Sequence, residues 1–508
     1  MRRIALLAAA SFLATGGAQA QVTQAPGVGV VAFANSGAPH AQRAFQRGVA
    51  LLHNFEYPRA IAAFQEAHKA DPGFAMAYWG EAMAHNHPIW MAQDLEAGRA
   101  ALAKLGPDRG ARLAKAATDR ERGFLEAVET LYGDGTKQDR DRAYSARMEA
   151  LYRAYPRDVD VASFYALSLL GLAHQGRDVP LYMRAAALLE EVYPENRDHP
   201  GVLHYLIHSY DDPAHAPLGL RAARRYGAVA PDAGHALHMT SHIFLAMGLW
   251  DDSAAANVAA MTTVDRHRAA SGQPPFECGH YAEWLVYSEY QRGRADAADA
   301  QVELCRRDAI AQLAQGERAG PVEPPRSLIR SYVGMAVRRL IETGQWSGAE
   351  GLNLPEGDYL GARFTLAYGD LLAAGGDAAR IGAAHARLRE TAAALRAARG
   401  SDADPALARR EEIVLMQAAA LERFHVGDAE AGLAALRTAT ETERTIPAEF
   451  GPPLVEKPSH ELLGDLLTRL GRRAEATRAY EAALALAPGR RLALRGLSGA
   501  ESASAQSR

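Results

Sequence analysis

Two stretches at opposite ends of the chain share one spacing. The first is RGVALLHNFEYPRAIAAFQEAHKADP, residues 47–72, and the second is LGDLLTRLGRRAEATRAYEAALALAP, residues 463–488. Gly48 and Gly464 come early, and Ala60 and Ala476 stand twelve residues later. An aromatic follows four on (Phe64, Tyr480), an alanine three on (Ala67, Ala483) and a proline five on (Pro72, Pro488). A repeat constrains a fold strongly, because a unit this short buries its apolar face only against its neighbours. The residue types suit two antiparallel helices. Small residues let the helices approach, the aromatic fills the gap between units, and the proline ends the second helix.

This pattern resembles the tetratricopeptide repeat, a helix–turn–helix unit of 34 residues. Proline and glycine markers place about eleven units, beginning near residues 41, 75, 125, 159, 200, 234, 279, 330, 361, 413 and 457. The units at 330 and 361 rest mainly on Gly344 and on Gly375-Gly376. Stretches such as SGQPPFECG and IPAEFGPPLVEKP are loops between helices, and period-two strand patterns are almost absent. The expected fold is all-α: one TPR-like α-solenoid, a superhelix over residues 41–490. Residues 21–40 read as a flexible N-terminal segment and residues 491–508 as a disordered tail.

Residues 1–20, MRRIALLAAASFLATGGAQA, combine a basic start, a short apolar run and Ala-Gln-Ala before the expected cleavage after Ala20. That is the pattern of a secretory signal peptide, and the apolar run is too short to span a membrane. The expectation is a periplasmic or secreted protein with no membrane span. Lys and Arg total 56 against 60 Asp and Glu, a formal charge of −4. That balance offers no basic excess for phosphate contacts, so nucleic acid is not an expected partner.

The histidines repeat in register. In the unit beginning at Pro200, HYLIH puts His204 at position 5 and His208 at position 9. In the unit beginning at Gly234, HALHMTSH puts His238 and His242 at the same two positions. Each pair is spaced i, i+4 and lies on one helix face. Nine of the 18 histidines fall between His199 and His280, so the clustering is not compositional. The resemblance implies that first helices line a concave groove, with positions 2, 5, 9, 12 and 13 facing it. Four imidazoles on adjacent helices, about 8–10 Å apart, can then converge on one ion. The same positions add His235, His280, Glu283 and Tyr287, and Asn86 and His87 from AHNHPIW, as further candidate ligands.

Nitrogen ligation with one carboxylate suits a transition metal such as Cu, Zn, Fe or Ni. Four histidines would make a closed site; three with an open position can activate water or oxygen. Asp211, Asp212, Asp251 and Asp252 are candidates to support the ligands from behind, although turns are their ordinary place. Met239 and Met247 at helical spacing read as core. Two other readings of the histidines stay open: a groove that binds an anionic or peptide ligand, and a solvated polar stripe. The resemblance implies peptide or partner-protein binding in the groove, so the alternative to a metal protein, catalytic or not, is a scaffold for an envelope protein.

Glu461 and Asp465 read as a hydrophilic groove face, and His460-Glu461 lacks the second histidine of a zincin motif. No nucleophile elbow, Walker A loop or dinucleotide fingerprint is present. Cys278 precedes one helix of a hairpin and Cys305 lies late in its antiparallel partner, so the two can meet as a disulfide worth about 3 kcal/mol.

Overall fold

A computed structural model describes residues 23–505, apart from residues 26, 317–319, 325–326, 349, 401–404 and 447–449. The segment expected to be a signal peptide lies outside the described residues. The described chain is almost entirely helical and is built from ten helix hairpins stacked in sequence order. The first pairs Gln42–His53 with Tyr57–Ala70, and the last pairs Ser459–Arg469 with Arg473–Leu486. First helices of successive units also touch one another, as Gln42–His53 does Ala75–Met83 and Pro200–Tyr210 does Gly234–Ala246.

The spacing seen at both ends of the sequence has one packing cause. The Phe64 ring lies between Gly48 of its own unit and Gly80 of the next. A Cβ at either glycine would sit 2.8 or 2.3 Å from the ring. Tyr480 is held in the same way between Gly464 and Gly496, where the distances would be 2.6 and 2.3 Å. Both rings are buried. Glycine is needed on both sides because interiors pack at crystal-like density and leave no room for a methyl.

The structure departs from expectation in three places. The unit near 330 keeps only its first helix, Leu328–Thr343. The next hairpin is Leu360–Leu372 with Ala378–Arg399, and the intervening chain is rich in glycine turns. Much of the segment expected to be flexible is ordered. Strands Thr23–Ala25 and Gly29–Val31 pair antiparallel, and Val28, Val31 and Phe33 join the core. Their apolar side chains find the first repeat and the helix Pro200–Tyr210, a partnership set by tertiary packing. The expected disordered tail instead begins with the helix Arg491–Ala505, which packs on the last hairpin as its cap. A solenoid end needs such a cover for its apolar face.

The solenoid curls tightly enough to contact itself. Helix Gln42–His53 packs on Pro200–Tyr210, although about 150 residues separate them. The C-terminal repeats reach the centre as well: the indole N–H of Trp250 donates to the Gly489 carbonyl at 3.0 Å. The Arg490 guanidinium is buried against Glu461 at 2.6 Å and the Tyr287 hydroxyl at 3.3 Å.

Candidate metal centre

Three consecutive first helices build the histidine cluster. Pro200–Tyr210 starts at a proline, with His199 as its cap: the Val202 N–H donates to His199 Nδ1 at 3.3 Å. Proline at the first turn costs no hydrogen bond, so the helix begins at a defined residue and aims His204 and His208 at one side. Gly234–Ala246 and His280–Gln291 follow, each with a histidine in its first turn, His235 and His280.

The expected single site of four histidines is not what the helices assemble. They make two trios by the same construction. His204 and His208 converge with His235 of the next helix. His238 and His242 converge with His280 of the helix after that. In each trio, one nitrogen from every ring lies within 4.8 Å of the others, so small ring rotations bring all three within reach of one ion at about 2.0–2.1 Å. The i, i+4 pair of one unit is therefore completed by position 2 of the next, and the trios lie side by side, with the His208 and His242 ring centres 5.9 Å apart.

The first trio lies largely in the interior. His204 Nδ1 lies 2.6 Å from the His53 carbonyl. A carbonyl only accepts, so Nδ1 carries the proton and Nε2 presents a lone pair. The Nε2 atoms of His204, His208 and His235 are all buried without a hydrogen-bond partner. Burial pushes His204 down to about 3 and His208 and His235 well below the ordinary histidine range, with the neighbouring imidazoles adding to the effect. All three are neutral at physiological pH, the form that ligates metal. Phe55 covers them, its ring centre 4.3 Å from that of His204 and 5.5 Å from that of His235. Phe55 has φ of 56°, a left-handed backbone that a bulky residue rarely adopts.

The second trio is oriented from behind. His238 Nδ1 donates to the Asn257 side-chain oxygen at 2.7 Å, and the Asn257 amide in turn donates to the Ser253 carbonyl. His242 Nδ1 donates to the Asp211 carboxylate at 2.5 Å. With both Nδ1 atoms donating, the Nε2 atoms of His238 and His242 turn toward each other at 3.1 Å. Burial again pushes His238 well below the ordinary range. Trp284 stacks on His242 with ring centres 4.4 Å apart, Phe450 lies 5.1 Å away, and His280 is exposed.

The remaining sequence candidates lie elsewhere. Asn86 accepts from Gln93 at 3.2 Å, and His87 stacks on Tyr57 at 4.0 Å. The loop they belong to does reach the cluster, through Trp90, whose ring centre is 5.7 Å from that of His235. Glu283 joins neither trio, and Tyr287 belongs to the buried Arg490 group. Glu461, expected on a hydrophilic groove face, is buried against Arg490 and Lys457. Of the aspartates, Asp211 accepts from a candidate ligand, His242, whereas Asp212 pairs with Arg177 and His215, and Asp251 with Arg292. Cys278 and Cys305 are joined, with Cα atoms 4.5 Å apart, and the bond anchors the chain two residues before His280.

A third cluster, His53, Asp160 and His199, has no counterpart in the sequence reading. Two of its members were visible as positions: His53 at position 13 of the unit beginning at 41, and Asp160 at position 2 of the unit beginning at 159. It is not equivalent to the other two. His199 Nδ1 accepts the Val202 N–H, so its proton sits on Nε2, 3.2 Å from Asp160. That nitrogen has no lone pair to offer a metal. Arg120 approaches the other Asp160 oxygen at 3.6 Å, and the cluster reads as a buried hydrogen-bonded brace between the first and fifth units.

No protein-family model matches the sequence, and no curated protein matches it. Solved structures similar to the chain include the APC/C hetero-tetramer Cut9–Hcn1, at 12% identity over 92% of this chain and 78% of that one, with a TM-score of 0.33. Yeast Tom70 is similar at 10% identity over 92% and 89%, with a TM-score of 0.31. Human IFIT1, in a dimer with m7Gppp-AAAA, is similar at 13% over 93% and 92%, with a TM-score of 0.36. The fold is a tetratricopeptide-type solenoid. Its hairpin stack and the glycine-flanked Phe64 and Tyr480 rings carry that description.

Proposed function

We propose that this solenoid is a metal-binding protein whose interior histidines hold a late first-row transition metal, Cu, Zn or Fe. One observation carries the reading: the Nε2 atoms of His204, His208 and His235 converge, buried, neutral and without hydrogen-bond partners. A buried polar atom left unpaired costs about 1–3 kcal/mol, and three in one place need a common occupant. A bound metal ion supplies Lewis acidity and lowers the pKa of a coordinated water. The chain's own part is to fix three neutral nitrogens, keep solvent away with Phe55 and Trp90, and hold the His204 tautomer through the His53 carbonyl.

The scaffold reading rests on fold class, since solenoids offer long surfaces to protein partners. It applies to the outer faces more readily than to the histidine-lined face, because Phe55, Trp90 and Phe450 already cover the histidines. Export belongs to the proposal too, supported by the residue pattern of 1–20 and by a disulfide that suits an oxidising compartment. Elemental analysis of the purified protein is the test. Near-stoichiometric Cu, Zn or Fe is expected, with loss on His204→Ala plus His208→Ala. A metal-free protein that takes up no added metal, or metal unaffected by those substitutions, defeats the reading.

A further inference from the structure

We infer that the cluster holds two ions in two unlike sites, and that the second, at His238, His242 and His280, is open to water or a small anion from solution. The inference rests on the metal reading above and goes beyond it in number and in role.

The geometry separates the trios. Every candidate nitrogen of the first belongs to its own three rings, and so does every nitrogen of the second. Neither trio borrows from the other, so filling one leaves the donors of the other in place. In the second trio the hydrogen-bond partners decide which nitrogen of each ring faces the other ligands. Asp211 accepts from His242 Nδ1, and the Asn257 oxygen, held by Ser253, accepts from His238 Nδ1. With Nδ1 engaged on each ring, the two Nε2 atoms face each other across 3.1 Å. Two imidazole nitrogens facing each other at that separation, with the His280 nitrogen close by, can be shared by one cation.

Access and charge differ as well. The first trio lies beneath Phe55 with no carboxylate among its donors, whereas the second has the Asp211 carboxylate behind one ligand and His280 at the surface. Three protein ligands with one solvent-facing edge leave a coordination position for water or an anion, the arrangement of a reactive metal rather than a stored one. The disulfide at Cys278 fixes the chain just ahead of that edge.

The experiment titrates the full-length apo protein with Co2+, following visible absorption and heat, and then adds azide. Two equivalents per chain are expected. His208→Ala leaves one equivalent, whose spectrum shifts with azide. His242→Ala leaves one that azide does not shift. His280→Ala, at an exposed position that does not endanger the fold, also leaves one. A single equivalent in the unsubstituted protein, removed by either His208→Ala or His242→Ala, overturns the two-site inference and leaves the metal reading standing. An azide-insensitive spectrum in His208→Ala overturns the open site. No Co2+ uptake by the unsubstituted protein overturns the metal reading itself.

Discussion

Asp211 accepts a hydrogen bond from Nδ1 of His242 at 2.5 Å, with both side chains buried. The two come from neighbouring units, Asp211 from the turn that closes Pro200–Tyr210 and His242 from the last turns of Gly234–Ala246. A carboxylate behind a metal-binding imidazole fixes the tautomer and raises the basicity of the other nitrogen, and its loss ordinarily costs 10- to 100-fold in affinity. Asp211→Ala is therefore expected to weaken metal at the second trio by about that factor while leaving the first unchanged. Chelator competition measures it, and equal weakening of both sites contradicts the assignment.

Acid is expected to destabilise the metal-free protein well above the range of carboxylate titration. Burial pushes His53 down to about 4 and His204 to about 3. A histidine in the unfolded chain titrates near 6.5. Below that pH the unfolded state binds protons that the folded state refuses, so stability is complete above pH 6.5 and is lost as pH falls toward 4. Each such histidine costs about 2 kcal/mol at pH 5. Urea midpoints at pH 7.5 and 5 check this; a midpoint that does not fall means these histidines are charged in the folded protein.

The C-terminal repeats are tied to the centre by a buried ion group. Glu461 is held at about 2, against the desolvating effect of burial, by Arg490 and Lys457. Glu461→Gln leaves Arg490 buried with its main counter-charge gone, a loss of about 3–5 kcal/mol. Limited proteolysis should cut the last hairpins of this variant first, and unchanged protection would show that Glu342, 3.5 Å from Arg490, is sufficient.

Gly80→Ala tests the packing behind the repeat. The new methyl would lie 2.3 Å from the Phe64 ring, and overpacking of this kind costs about 1–3 kcal/mol. Phe64→Leu made together with it should recover part of the loss. Thermal unfolding of the single and double variants gives the coupling, and simple additivity of the two losses rules out a steric cause.

Reduction of Cys278–Cys305 is expected to cost about 3 kcal/mol in the chain-entropy model and to weaken metal at the second trio, because the chain entering His280 loses its anchor. Metal titration with and without reductant, on the protein and on Cys305→Ser, measures both. Weakening at the first trio instead would contradict the link between the bond and His280.

Much of the site was legible as register. His204 and His208 stand 34 residues before His238 and His242, and a helix period turns that into two like pairs on two like helices. The partner of each pair was visible too, as histidines after Gly234 and Gly279, but nothing local says that position 2 of one unit meets positions 5 and 9 of the unit before. Asp211 was one of four turn aspartates that could support the ligands, with nothing local to single it out, and Asn257 was illegible in that role, since a helix asparagine has ordinary local roles.

The residues alone determined the hairpins, their order and the helix face that carries the histidines, because propensity, small-residue spacing and periodicity act over a few turns of chain. Only the tertiary structure decided that the two histidine pairs become two trios, each completed by a histidine of the next unit. It also decided that Phe55, Trp90 and Phe450 cover them, and that His53 and Asp160 brace the first unit against the fourth. The physical reason is curvature: small rotations between successive hairpins add up over many units, and their sum decides which distant side chains meet.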